Sequence, residues 1–279
     1  MKPNSLTKCG LLLGSLLALT APSAMAAWTF PNGNLLLGFQ ASGGQGSTTN
    51  VFFDLGSATA FRDNPNQGLL GNIGADLAAA YGANWYSRTD LHFGVVGNLN
   101  FAPNSGLGSA AAVDGDPSRT FYVSAPTIDI GSGALQTGQT GNSLGVAGNY
   151  FAGQEAMVRT LTATANGTVS ITQGANPTEW ANGWTTWNTV GGSSYSTLAG
   201  IQDTFGQSGS VNYLDIQRII STNTGANPAG TVGTGAWVGT IGIGNDGSLY
   251  AIPEPSAMAL AGLAGIAAAF RRRRTSAKA

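Results

Sequence analysis

Apolar residues in this chain arrive in short runs, and glycine, asparagine, serine or proline interrupts each run before a long helix can form. Runs of about four to eight residues between turn formers suit strands and are too short for packed helices. Glycine is spread along the chain, 42 residues in all, with no collagen-like period. Strands are expected at Asn34 to Ala41, Asn50 to Leu55, Leu91 to Val96, Thr120 to Ser124, Arg159 to Thr164, Thr168 to Gln173, Tyr213 to Ile220, Trp237 to Ile243 and Ser248 to Ile252. Asn166-Gly167 and Asp246-Gly247 each fall between two runs, and both pairs tolerate the positive φ of a two-residue type I′ turn. Gly43 to Ser47 forms a longer polar loop between the first two strands. One segment, Ile73 to Tyr81, reads as helix, with Asn72 as its cap, Gly82 as its stop, and Ile73, Leu77 and Tyr81 on one face. Tyr150 to Val158 is expected to form a second short helix. The fold class is therefore all-β: an antiparallel β-sandwich-like domain with one or two short helices.

The two ends do not share this pattern. Lys2 and Lys8 precede an apolar stretch from Leu11 to Leu19, and Ala24-Met25-Ala26 supplies small residues for cleavage by signal peptidase. Residues 1–26 read as a signal peptide, and the mature chain starts at Ala27. Cys9 is the sole cysteine and lies in that leader, so the mature chain has neither a disulfide framework nor a thiolate. At the other end, Pro253-Glu254-Pro255 leads into fourteen apolar or small residues, Ala257 to Phe270, and then Arg271, Arg272, Arg273 and Arg274. Fourteen helical residues cover roughly 21 Å, against the 30 Å or so of a hydrocarbon core. The span is short for a permanent anchor, and the arginine run acts as a membrane stop that stays cytoplasmic. Both ends are expected to form hydrophobic targeting helices, separate from a body at 27–251.

Proline-bracketed acid, hydrophobic span and arginine cluster, in that order over residues 252–279, resemble the PEP-CTERM sorting signal of Gram-negative bacteria. The resemblance implies handling by an exosortase, a membrane-embedded cysteine transpeptidase that cuts near Pro253, Glu254 and Pro255 and discards the helix. It further implies a transient stay at the inner membrane, then release to the cell surface or the extracellular matrix. The body resembles passenger domains carried by this tail, through Asn34-Leu35-Leu36-Leu37-Gly38-Phe39, Gly71-Asn72-Ile73-Gly74-Ala75-Asp76-Leu77, Asn84-Trp85 and Asp90-Leu91.

The body is acidic and free of lysine. Between Ala27 and Ala251 five arginines face twelve carboxylates, which leaves −7. Such a body suits neither nucleic acid nor an anionic membrane surface as partner. Catalytic constellations are poor. Gly141-Asn142-Ser143-Leu144-Gly145 has the form of a nucleophile elbow, but a poor strand precedes it and no histidine follows. His92 is the sole histidine and reads as a strand residue. Glu155 and Glu179 are the body's only glutamates, and a glycosidase needs two carboxyls at a set distance that sequence does not give. No cofactor is expected; Asp114 and Asp116 form the best calcium loop, without EF-hand spacing. Trp180, Trp184 and Trp187 crowd into eight residues beside Asn and Thr, a set that suits core packing or stacking on sugar rings.

The expected function is that of an exported, non-enzymatic protein with structural or adhesive work in exopolysaccharide or biofilm. A carbohydrate-binding module built on the three tryptophans is the alternative, and a secreted hydrolase stands behind it.

Overall fold

The computed structural model describes residues 30–31, 33–64, 68–99, 116, 120–136, 161–172, 200–206, 209–220 and 235–252. Ten strands and two short α-helices follow one another: β1 Asn34–Ala41, β2 Thr49–Ser57, α1 Ala58–Asp63, β3 Gly68–Asn72, α2 Gly74–Tyr81, β4 Leu91–Asn98, β5 Phe121–Thr127, β6 Thr168–Thr172, β7 Gln202–Thr204, β8 Val211–Ile219, β9 Gly235–Gly244 and β10 Ser248–Ile252. A single 3-10 turn, Trp85–Ser87, precedes β4. All ten strands join one sheet in the order β3-β10-β9-β8-β5-β4-β1-β2-β6, with β7 beside β4. Each neighbour pair is antiparallel.

Alternation decides what each face does. Leu35, Leu37 and Phe39 of β1, Val51, Phe53 and Leu55 of β2, Leu91, Phe93 and Val95 of β4, and Leu214 and Ile216 of β8 turn inward to one buried cluster. Ile241, Ile243, Leu249 and Ala251 extend it to the far end of the strand order. Each such large side chain contributes about 1.5–3 kcal/mol by leaving water. Phe39, Phe93 and Phe205 stack at centroid distances of 6.3, 6.2 and 4.3 Å, and Trp85 meets Phe205 edge-on at 5.0 Å. A second buried cluster, with Leu36, Phe52, Val96, Phe121, Val123 and Val169, occupies the outer face of the central strands.

The sheet curls around the inner cluster, and α2 ties its two ends. On one side the Ile73 N–H donates to the Gly247 carbonyl (3.0 Å), in the loop between β9 and β10. The backbones there approach so closely that a Cβ at Gly247 would lie 2.1 Å from the Gly74 nitrogen, at a φ of +83°. On the other side, the hydroxyls of Thr164 and Thr168 donate to one Asp76 carboxylate oxygen at 2.9 and 2.7 Å. Between them the Phe53 ring of β2 lies against Gly71 of β3, where an added Cβ would stand 3.2 Å away.

A fork divides the sheet's middle. β4 pairs with β5 through Val96–Asn98 and with β7 through His92–Gly94. Ser124 fills the split: its hydroxyl accepts from the Val95 N–H (2.7 Å) and donates to the Ile201 carbonyl (2.5 Å).

The sequence reading needs several corrections. The sandwich of two sheets is replaced by one continuous sheet whose inner face closes on itself. Both expected two-residue turns are three-residue loops. Gly167 and Gly247 donate to the carbonyls of Thr164 and Gly244, and each has a φ of +83°. That is a type I turn closed by a left-handed glycine. Ile73, not Asn72, is the helix N-cap residue, although the Asn72 side chain accepts from the Gly74 N–H at 3.0 Å. Gly82 ends the helix as expected. Leu161–Thr164, the described part of the Arg159 to Thr164 strand, holds a single bridge at Thr162. α1, β3 and β7 were not anticipated. The second helix expected at Tyr150 to Val158 and both targeting helices lie outside the described residues, among which no helix is long and apolar enough to cross a membrane.

If Asp76 holds the sheet's ends together, Asp76→Ala frees two hydroxyls at once and costs about 2 kcal/mol or more. Urea unfolding followed by intrinsic fluorescence measures it, and Thr168→Val should cost less than Asp76→Ala because Thr164 keeps its bond.

Candidate sorting junction and the polar sites of the body

β10 is five residues long and sits between two partners. Leu249, Tyr250, Ala251 and Ile252 pair with Ile243, Gly242, Ile241 and Thr240 of β9. Ser248, Leu249, Tyr250 and Ala251 pair with Asn72, Gly71, Leu69 and Gly68 of β3. Leu249 and Ala251 are buried in the core. Ile252 is therefore the last strand residue of β10, as expected, and Pro253 is its next neighbour in sequence. Proline has no N–H to donate, so the ladder loses its donor at that point. Pro253, Glu254, Pro255 and Arg271 to Arg274 lie outside the described residues.

Of the two candidate calcium ligands, the structure describes one. Asp114 lies outside the described residues. Asp116 is buried, and one carboxylate oxygen lies 2.6 Å from Arg62 of α1 and 2.5 Å from Arg218 of β8. The other oxygen accepts from the Tyr122 hydroxyl at 2.6 Å. Two arginines thus share the first of these carboxylate oxygens. Burial, and then the bond to Asp116, push the Tyr122 phenol up. Arg62 also reaches the exposed Asp63, at 2.7 and 2.8 Å, so two acids offset two cations. Among the described residues no three metal-binding side chains come together.

His92 sits on β4 between Gln40 of β1 and Thr204 of β7. Burial pushes its imidazole down, and Asp90 opposes that. Ser143, Glu155, Glu179, Trp180, Trp184 and Trp187 lie outside the described residues. Trp85 and Trp237 serve packing: Trp85 is in the core, and the Trp237 ring lies over Gly131 while its indole N–H donates to the Gly239 carbonyl at 2.8 Å.

Two polar devices escaped the sequence reading. The Arg88 guanidinium makes five hydrogen bonds, the full number it has to give. They reach both oxygens of Asp90 (2.9 and 2.7 Å) and the carbonyls of Gln45, Tyr81 and Gly43 (2.6, 2.8 and 2.6 Å). Arg88 thereby clamps the β1–β2 loop to the end of α2. On the outer face of β8, Asp215 accepts from the N–H groups of Gly131 (2.9 Å) and Gly133 (2.7 Å), while the Gln217 side chain accepts from the Gln136 N–H and donates to the Ala134 carbonyl, each at 2.7 Å. These two side chains strap residues 128–136 across the sheet. The available signal was scarcity: with five arginines in the body, each is worth asking what it neutralises.

Residues 251–274 match the family model of the PEP-CTERM protein-sorting motif. Searches of curated proteins and of solved structures find no match. The chain carries a sorting motif whose bearers are exosortase substrates exported to the cell surface or beyond, and its first two residues are the last two of β10.

Removing the Asp116 carboxylate leaves two guanidinium groups facing each other, so Asp116→Ala should lower unfolding free energy by about 3 kcal/mol. Added calcium or a chelator should leave the parent's melting temperature in place; a calcium-dependent rise would put a cation there. The Arg88 guanidinium, its hydrogen bond foremost, holds the Asp90 carboxyl below its ordinary range. A lowered folded-state value contributes stability above the unfolded carboxylate range and loses it as pH falls through the lowered value. Asp90→Asn should therefore flatten the acid limb of the melting curve below about pH 4, by under about 1 kcal/mol at this half-exposed pair.

Proposed function

We propose that residues 27–252 form a non-enzymatic passenger whose work is structural or adhesive, within exopolysaccharide or biofilm at the cell surface. On this reading, signal peptidase removes residues 1–26. The tail then holds the chain at the inner membrane until an exosortase cuts near Pro253-Glu254-Pro255. The observation that carries the reading is the junction: the sorting motif shares only Ala251 and Ile252 with β10, so the last core side chains, Leu249 and Ala251, precede Pro253-Glu254-Pro255 and the cut. A body that holds its sheet without the tail can be handed over as a finished unit. The charge balance supports an extracellular setting. Solubility rests on Asn, Gln, Ser, Thr and Gly, and the described cations Arg62, Arg88 and Arg218 are spent on internal pairs.

Deleting Pro253 to Ala279 should leave the melting temperature of the body unchanged within a degree or so, while the protein no longer reaches the surface fraction. Intact-mass measurement of the surface form should show an N-terminus at Ala27 and a C-terminus near Pro253. Surface delivery without the tail, or a body that unfolds once the tail is gone, overturns the reading.

A further inference from the structure

The described residues leave five large hydrophobic side chains exposed: Leu69 (63%), Tyr250 (38%), Ile128 (79%), Ile130 (36%) and Leu135 (58%). Leu69 and Tyr250 lie on the outer face of β3 and β10, and the other three lie on the segment that follows β5. Leu69 and Tyr250 are direct cross-strand partners, and Tyr250 points outward because its neighbours Leu249 and Ala251 point into the core. The other three ride on the strap that the outward-facing Asp215 and Gln217 hold against β8. β3, β9 and β10 contain no Asp, Glu, Lys, Arg or His. The face of these three strands is uncharged and partly aromatic, a local exception on a body of net charge −7, whereas the strap beside it carries the exposed Asp129.

The position of that face fixes its neighbour. The chain leaves it at Ile252, and four residues, Pro253 to Ser256, separate Ile252 from the apolar span that begins at Ala257. Four residues reach about 14 Å when fully extended. While that span is in a bilayer, the C-terminal end of β10 stays within about that distance of the interface. A tyrosine with an apolar ring and a polar tip suits the headgroup layer, and the lack of charge spares the face repulsion from anionic lipid.

We propose that the outer face of β3-β10-β9 rests on the lipid headgroup layer until the tail is cut, with Leu69 and Tyr250 as its contacts. This rests on the reading of 257–270 as a membrane segment. Contact is local and reversible: once the tether is cut, a few side chains do not retain the body.

The mature chain has no cysteine, so residues 27–279 accept a single reporter. Leu69→Cys, Tyr250→Cys and, at the exposed position just past the C-terminal end of α2, Ala83→Cys would each carry a solvent-sensitive fluorophore. Each protein is reconstituted into vesicles of phosphatidylethanolamine and phosphatidylglycerol bearing a headgroup-level quencher. The expected result is flotation of all three, with a blue shift and several-fold stronger quenching at positions 69 and 250 than at 83. Flotation with equal quenching at the three positions overturns the proposal while leaving the membrane tail standing. Failure to float overturns both. A shift at 69 and 250 produced by agarose oligosaccharides without vesicles reassigns the face to glycan and also overturns it.

Discussion

Asp76 joins two stretches of the sheet that have no strand pairing between them. A long antiparallel sheet with an apolar inner face hides that face only by curling, and curling brings together ends that hydrogen-bond to nothing in common. Here one end terminates in β3 and the other in β6. α2 begins immediately after β3, so its first turn reaches both the β9–β10 loop and the loop before β6. The inner cluster, from Leu35 to Ala251, stays dry because that short helix covers the seam. The aromatic stack of Phe39, Phe93 and Phe205 depends on the same closure.

Four sets of buried or half-buried polar groups among the described residues fix the chain's arrangement. Ser124 satisfies the backbone where β4 changes partner. Asp215 and Gln217 hold a strap, Arg88 locks a loop with all five donors, and Asp116 neutralises two arginines. Low charge density makes each of these isolated. Lysine is absent from the body, so no flexible surface cation stands in when one partner is lost. Sites of this kind fix one arrangement of chain at the cost of tolerance to substitution.

The regular part of the fold was legible because it is local. β1 and β10 fall at the expected residues, and β2, β4, β5, β6, β8 and β9 differ only at their ends, since runs such as Leu35-Leu36-Leu37 and Trp237 to Ile243 carry the strand signal themselves. The missed elements have no such signal. β3 is Gly-Leu-Leu-Gly-Asn and is a strand because β10 pairs with it; β7 is Gln-Asp-Thr and is one because β4 forks. α1 starts where Ser57 accepts from the Ala60 N–H, a cap that serine also offers to turns. The count of sheets was beyond local pattern: the same alternation serves two facing sheets or one that curls. The sorting motif lay open to reading since its three parts are contiguous. The ion cluster at Asp116 gathers residues from three distant segments, and nothing in their spacing joins them.

The place of β10 sets a clock. Asn72 at the end of β3 and Ser248 at the start of β10 hydrogen-bond across 176 residues of chain. β3 emerges early during export yet has no described strand partner except β10, which emerges almost last. The sheet is therefore completed only when nearly the whole body has emerged. A chain broken off before β10 would lack both the strand that pairs with β3 and the sorting motif.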